Sequence, residues 1–398
     1  VSEPLRLLGR DFDGFRRAVA AHGDAWADGS VEATWLGLPE LQAAVLGPVA
    51  AGAAAADLLV VPADWLPALA AAGTIRPLTG LLVDRPPHDW PDAWPASFRE
   101  GVTWGGSVWG VPFHDGPQLL FTHDAAFADA GLAAPATWSD LLAAAVSLHG
   151  PDRAGTVLAG APDGHNNVYD FVLHLWRCGG DLLDGRSVVL DSPAAREALA
   201  LLRGLATGLV PDDAHALDSN GSGAAFAEGR VAVTVNWAGY AALAAAGPVA
   251  GSGFTTRVAP THDDGTPTTT VNAFWATAVT SACADPDRAW SYVRHAAGPE
   301  MDLATTAAGA SGARRSTWTD PTVLAEHPEY ALFEAAHAHS RPLPRIPELP
   351  TVVDLLNDLV EAVVWQGADA DAALARAGRE LELVLGDAVT RGASGSRS

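Results

Sequence analysis

Tryptophan meets a carboxylate or an amide at the ends of short β-prone runs in this sequence. Asp64-Trp65 follows the apolar run Asp57–Val61, Asn236-Trp237 closes Val231–Val235, and Trp35 ends the alternating run Val31–Trp35. In open α/β sheets, ligands bind beyond the carboxyl ends of the strands. An indole there offers a flat apolar face, and the neighbouring polar group offers hydrogen bonds, so the chemistry is recognition of a small molecule. His114-Asp115-Gly116, after Pro112-Phe113, adds a carboxylate able to accept two hydrogen bonds and a glycine that permits close backbone approach. Phe274 and Trp275 are adjacent on a strand and face opposite ways, one into the core and one available to a ligand.

Motifs for turnover are missing. Gly309-Ala-Ser-Gly-Ala lacks the second glycine of a nucleophile elbow in the right place. No phosphate loop of the GxxxxGK(S/T) type occurs, and the sequence has no lysine to complete one. His337 and His339 are two apart on a predicted helix and point apart, and no cysteine pattern suits zinc, so neither metal nor cofactor is expected. The formal net charge of -23 disfavours nucleic acid and anionic membranes as partners. With 47 acidic residues, a catalytic carboxylate pair cannot be read from sequence, and a glycoside hydrolase stays as a remote alternative. The two cysteines, Cys178 and Cys283, suit either a disulfide in an exported protein or independent thiols.

Strands and helices alternate around these residues. Leu5–Leu8, Val31–Trp35 and Asp57–Val61 read as strands, the last continuously apolar as in a parallel sheet covered on both faces. Helices are expected over Asp11–Ala27, Trp65–Ala72, Asn167–Cys178, from Pro193 behind a Ser192 cap, over Asp285–Ala297, and over Val352–Leu385 with a break near Gly367. Gly105-Gly106 marks a hairpin, and Thr137 with Asp140 has capping-box spacing ahead of Trp138, Leu141, Leu142 and Ala145 on one helical face. Arg85–Pro95 reads as a surface loop, and Gly247–Pro267, rich in glycine, threonine and proline, as a linker. The alternation implies an α/β layer fold. At 398 residues the chain is long enough for more than one domain, and no apolar run reaches the ~20 residues of a membrane span.

Five segments carry a resemblance. The longest holds Gly110-Val111-Pro112-Phe113, His123-Asp124-Ala125-Ala126-Phe127, Ala130-Gly131-Leu132 and Pro135-Ala136-Thr137-Trp138-Ser139-Asp140-Leu141. The others are Asp57 to Trp65 with Gly73 to Leu78, Phe226 to Trp237, Asp285 to Glu300, and Pro344 to Pro347 with the helical stretch to Leu374. In this order and spacing the chain resembles the family 1 extracellular solute-binding proteins of ABC importers, the sugar-binding, maltose-binding-protein-like group. It departs from the family pattern at Asn272-Ala273-Phe274-Trp275, where Gly-Gly is common, and near Val353, where maltose-type members carry an aromatic.

The resemblance implies a two-lobe periplasmic-binding-protein-like fold of type II, each lobe a mostly parallel sheet flanked by helices. The expected boundaries are 1–112 with 256–302, and 113–255 with 303–388, followed by a disordered tail at 389–398. Val111-Pro112-Phe113 is the expected crossing between lobes. The implied ligand is a sugar or small polyol held in an interlobe cleft by hinge closure, with no catalysis. Alternatives are a polyamine or an organic acid on the same fold, or a cytoplasmic binding protein with no role in import. The implied contacts are Trp35, Asp64, Trp65, His114, Asp115, Gly116, Asn167, Tyr169, Asn236, Trp237, Trp275, Arg314 and Arg345. Tyr169 stands where maltose-type members place a stacking aromatic, Trp237 where they place a tryptophan, and Arg314 in a loop resembling their G-x-x-P-x-R. The implied partners are the small ligand and ABC permease subunits, with the protein itself a monomer. VSEPLRLLGR carries no signal-peptide pattern and no lipoprotein cysteine. An extracytoplasmic, surface-associated protein and a cytoplasmic one are therefore both expectations.

Overall fold

Leu58–Pro62 is apolar at every position and buried at every position, and it takes the centre of a sheet. The computed structural model describes residues 3–47, 50–163 and 166–395, with side chains as far as residue 386. Eight strands build the two main sheets: β1 (Leu5–Arg10), β2 (Val31–Leu36), β3 (Leu58–Pro62), β4 (Val111–His114), β5 (Gln118–His123), β6 (Val233–Trp237), β7 (Phe254–Val258) and β8 (Trp275–Val279). The chain divides into two compact units, Val1–Pro117 with Asn272–Pro347 and Gln118–Val271 with Glu348–Ser398.

The first unit holds a five-stranded sheet in the order β2-β1-β3-β8-β4. β1 pairs in parallel with β2 and β3, while β8 runs antiparallel to β3 and β4. The Asp13–Ala25 helix buries Phe15, Ala18 and Val19 against this sheet's core. Each such side chain taken out of water contributes roughly 1.5–3 kcal/mol for the larger residues.

The second unit holds β6-β5-β7, antiparallel throughout. This corrects the expectation of a mostly parallel sheet there. β5 is central and buried along its whole length. Its partner β7 lies in the segment expected to be a linker, where Thr255, Thr256 and Val258 are β-branched and Thr255 Oγ1 donates to Asp124 Oδ2 at 2.9 Å. The Trp138–Leu148 helix packs Trp138, Leu141 and Ala145 with Leu120, Phe127 and Val233. Its capping box forms: the Asp140 N–H donates to Thr137 Oγ1 at 3.1 Å, and the Thr137 N–H to Asp140 Oδ2 at 3.0 Å.

The unit boundaries differ from the expected ones in three places. Val111-Pro112-Phe113 is not the crossing, because β4 is held at the edge of the first sheet by β8, and the chain leaves that unit between Pro117 and Gln118. Residues 256–271 belong to the second unit, since Val258 pairs with Leu119 and Thr268 Oγ1 accepts from Trp138 Nε1 at 2.8 Å. Residues 303–347 belong to the first unit, tied there by Asp302 and Arg345. The expected tail is helical as far as Gly395, within the Ala370–Gly395 helix, as propagation of an established helix favours. Residues 396–398 lie outside the described residues. Cys178 and Cys283 are free thiols, one in each unit. Among the described residues, no helix is long and apolar enough to cross a membrane.

Candidate functional site

Strand direction decides which side chains gather at one edge of the first sheet. β1, β2, β3 and β4 run the same way and β8 runs against them, so one edge collects four carboxyl ends and one amino end. That edge carries Arg10, Trp35, Trp275, His114 and, two residues past β3, Asp64. Trp275 pairs in register with both Pro62 and His114.

Each of these has a local reason for its place. Trp35 lies over Gly9, where a Cβ would come within 2.8 Å of the indole, so glycine is required for that seat. The Trp275 ring sits under the Arg10 guanidinium at 5.8 Å and edge-on to Phe15 at 5.1 Å. Trp275 and Phe274 are both buried, and Phe274 stacks on Phe98 at 4.3 Å. His114 Nδ1 accepts the Ser311 N–H at 2.9 Å. Burial pushes the imidazole down to about 4, against the pull of the neighbouring Asp115 charge.

Several expected contacts of the first unit are buried and bonded within it. Asp115 is 1% exposed and its Oδ2 accepts from His337 Nε2 at 2.7 Å, while its Oδ1 is buried with no hydrogen-bond partner among the described residues. Gly116 beside it is buried. Trp65 is buried at the end of the short turn that precedes the helix from Leu66. Arg314 is 1% exposed, donates to the carbonyls of His88 and Ala297, and stacks on Trp94 at 4.8 Å. Its loop is organised by the buried Asp302, which accepts from the N–H groups of Ala313 and Arg314 and from the Thr317 hydroxyl. Burial raises the Asp302 carboxyl, with those donors pulling the other way. Arg345 donates to the carbonyls of Gly101 and Thr103 at 2.5 Å each. Burial lowers its guanidinium, while the charge of Asp64 opposes the shift, so Asp64 and Arg345 are neighbours.

The second unit brings four expected residues into one cluster. Asn236 and Trp237 end β6, and the Asn166–Arg177 helix starts beside them. Trp237 Nε1 donates to Asn166 Oδ1 at 3.0 Å, and the Tyr169 ring meets Trp237 edge-on at 5.6 Å. Asn236 Nδ2 donates to Ser222 Oγ at 3.1 Å. Asn167 Nδ2 donates to Asn357 Oδ1 at 2.5 Å. The acid in these contacts is Asp163, whose Oδ1 accepts the Asn166 N–H at 3.2 Å. Indole, phenol, amides and a hydroxyl around one half-buried tryptophan can recognise a neutral molecule with many hydroxyls.

Asn166, Asn357, Ser222 and Arg10 escaped the sequence reading. Asn166 is the recoverable one: two consecutive asparagines ahead of an apolar helix mark a helix start. Asn357 lies 190 positions from its partner, Ser222 meets Asn236 only once helix and strand pack, and Arg10 only gains meaning from the strand order.

A family model described as bacterial extracellular solute-binding protein matches residues 18–302, and the chain belongs to that family. Solved structures share the fold over almost the whole chain. The maltose-bound MalE3 of T. maritima is 20% identical, with a TM-score of 0.86 over 96% of this chain and 99% of that one. An ABC transporter solute-binding protein from Agrobacterium radiobacter in complex with ribitol is 23% identical, with a TM-score of 0.86 over 96% and 100%. UgpB from Mycobacterium tuberculosis, in complex with glycerophosphocholine, is 20% identical, with a TM-score of 0.79 over 98% and 100%. The resemblance carried by the sequence motifs holds at the level of family and fold.

Proposed function

We propose that this protein is the sugar- or polyol-binding component of an ABC importer. It acts outside the cytoplasm as a monomer, delivers its ligand to permease subunits, and catalyses nothing. The observation that carries the reading is the amide cluster around Trp237, whose ring and polar neighbours suit a neutral polyhydroxyl ligand. The proposed contacts are Trp237, Asn236, Asn166, Asn167 and Tyr169 in the second unit, and Trp35, Asp64 and Trp275 in the first. His114, Asp115, Gly116, Trp65, Arg314 and Arg345 hold these surfaces in place. Relatives in complex with maltose and ribitol support the choice of ligand class.

A charged small molecule is the second reading, favoured by Arg10 and Asp64 at one sheet edge. Thermal-shift screening with maltose, ribitol, glycerophosphocholine, spermidine and citrate separates the two. Stabilisation by maltose or ribitol supports the first reading, and stabilisation by spermidine or citrate alone supports the second.

A further inference from the structure

On the Asn166–Arg177 helix, which starts beside the amide cluster, the part-buried Asp170 lines a small apolar cavity that is open on one side. The cavity measures about 10 Å3 and is lined by Leu158, Leu202, Val360, Val364 and Trp365, with Asn167 and Asp170 as its polar side chains. That volume is near the lower limit for a single water. Asp170 Oδ2 accepts one long hydrogen bond, from the Ala159 N–H at 3.4 Å. The cavity wall at Val364 and Trp365 belongs to a π-helical turn, Glu361–Trp365, a geometry that recurs at functional positions.

Among the described residues, no cation is bonded to the carboxyl. From the loop ahead of its own helix comes Asp163, a like charge that opposes ionisation. From the Pro193–Ala206 helix, Arg203 is engaged with the carbonyls of Gly367 and Ala368. From the π-helical turn, Glu361 is paired with His215 at 2.9 Å. On the Leu349–Val360 helix, Asp354 and Asp358 are exposed. Burial accordingly pushes the Asp170 carboxyl up to about 7, with Asp163 adding to the shift.

We infer that Asp170 is a proton-linked latch beside the amide cluster: protonated, it lets the first helical turn seat Asn166 against Trp237, and ionised, it loosens that seat. Asp170 stands one residue after Tyr169 and four after Asn166, so water drawn toward its charge acts on the turn that carries both. The bearing on ligand binding rests on the function proposed above, while the latch itself needs no ligand.

The test is 19F NMR of the full chain labelled with 5-fluorotryptophan, without ligand, from pH 5 to 9. Trp237→Phe identifies the reporter resonance. Trp365 is unsuitable because His215 stacks on it at 4.9 Å. The Trp237 resonance is expected to move with one midpoint near 7 in the wild type and to stay flat in Asp170→Asn. Asp163→Asn, which removes the nearest like charge, is expected to move the midpoint downward. A flat wild-type profile overturns the latch, as does a midpoint near 7 that persists in Asp170→Asn.

Discussion

Trp237 carries the sharpest expectation among single residues. Its indole face is half-buried and its N–H is already held by Asn166. Trp237→Ala is expected to weaken sugar or polyol binding by roughly 1–3 kcal/mol, the size of other buried aromatic contributions. Titration calorimetry checks this, and unchanged affinity removes Trp237 from the site. Asp302 is the structural counterpart. Asp302→Ala leaves the N–H groups of Ala313 and Arg314 and the Thr317 hydroxyl without their acceptor, and each buried orphan costs about 1–3 kcal/mol. A drop of at least about 3 kcal/mol in urea unfolding is expected. The sequence shows which residues end strands, and Trp237, Asn236 and Trp35 are legible for that reason. It does not show which way a side chain turns after the strand, so the burial of Trp65 and Arg314 is not legible there. Nor does it show that Asp115 meets His337, 222 positions away.

At the scale of elements, local signals that complete themselves within a few residues were the readable ones. The Thr137–Asp140 capping box forms as its spacing predicts, and Thr137→Ala is expected to cost about 1 kcal/mol, measurable as a lower urea midpoint. β3 is legible because a central strand buried on both faces is apolar throughout. β7 is not, because glycine at 253 and proline at 260 give its surroundings a linker's composition while its identity comes from pairing with β5. The loop over Asp302 depends on close backbone approach at Gly312, where a Cβ would lie 2.5 Å from Asp302 Oδ2 and 2.9 Å from its carbonyl oxygen. Gly312→Ala is expected to destabilise by about 1–3 kcal/mol through overpacking. Full stability in that variant would show that the loop yields.

For the whole molecule, three buried histidines set the response to acid. Burial pushes His22 to about 4, His114 to about 4 and His174 to about 3. The unfolded chain binds protons at these groups from about pH 6.5 downward. Their stabilising share is therefore complete above pH 6.5 and is lost as pH falls toward 4. Asp170, raised to about 7, has the opposite sign, its share falling as pH rises from about 4 to 7. Asp302, also raised by burial, acts with Asp170, and His123, lowered by burial, acts with the three histidines. The lowered imidazoles outweigh the two raised carboxyls, so the unfolding temperature is expected to decline from pH 6.5 to pH 4, and a flat profile would show the imidazoles to be solvated. Family and fold were legible at this scale because five weak motifs keep their order along the chain. The unit boundaries were not, since long-range pairing fixes them. Thermal-shift screening with maltose, ribitol, glycerophosphocholine, spermidine and citrate tests the central claim most directly. Maltose or ribitol is expected to raise the unfolding temperature with unchanged ligand recovered afterward. A shift with spermidine or citrate alone, or turnover of a glycoside, would contradict it.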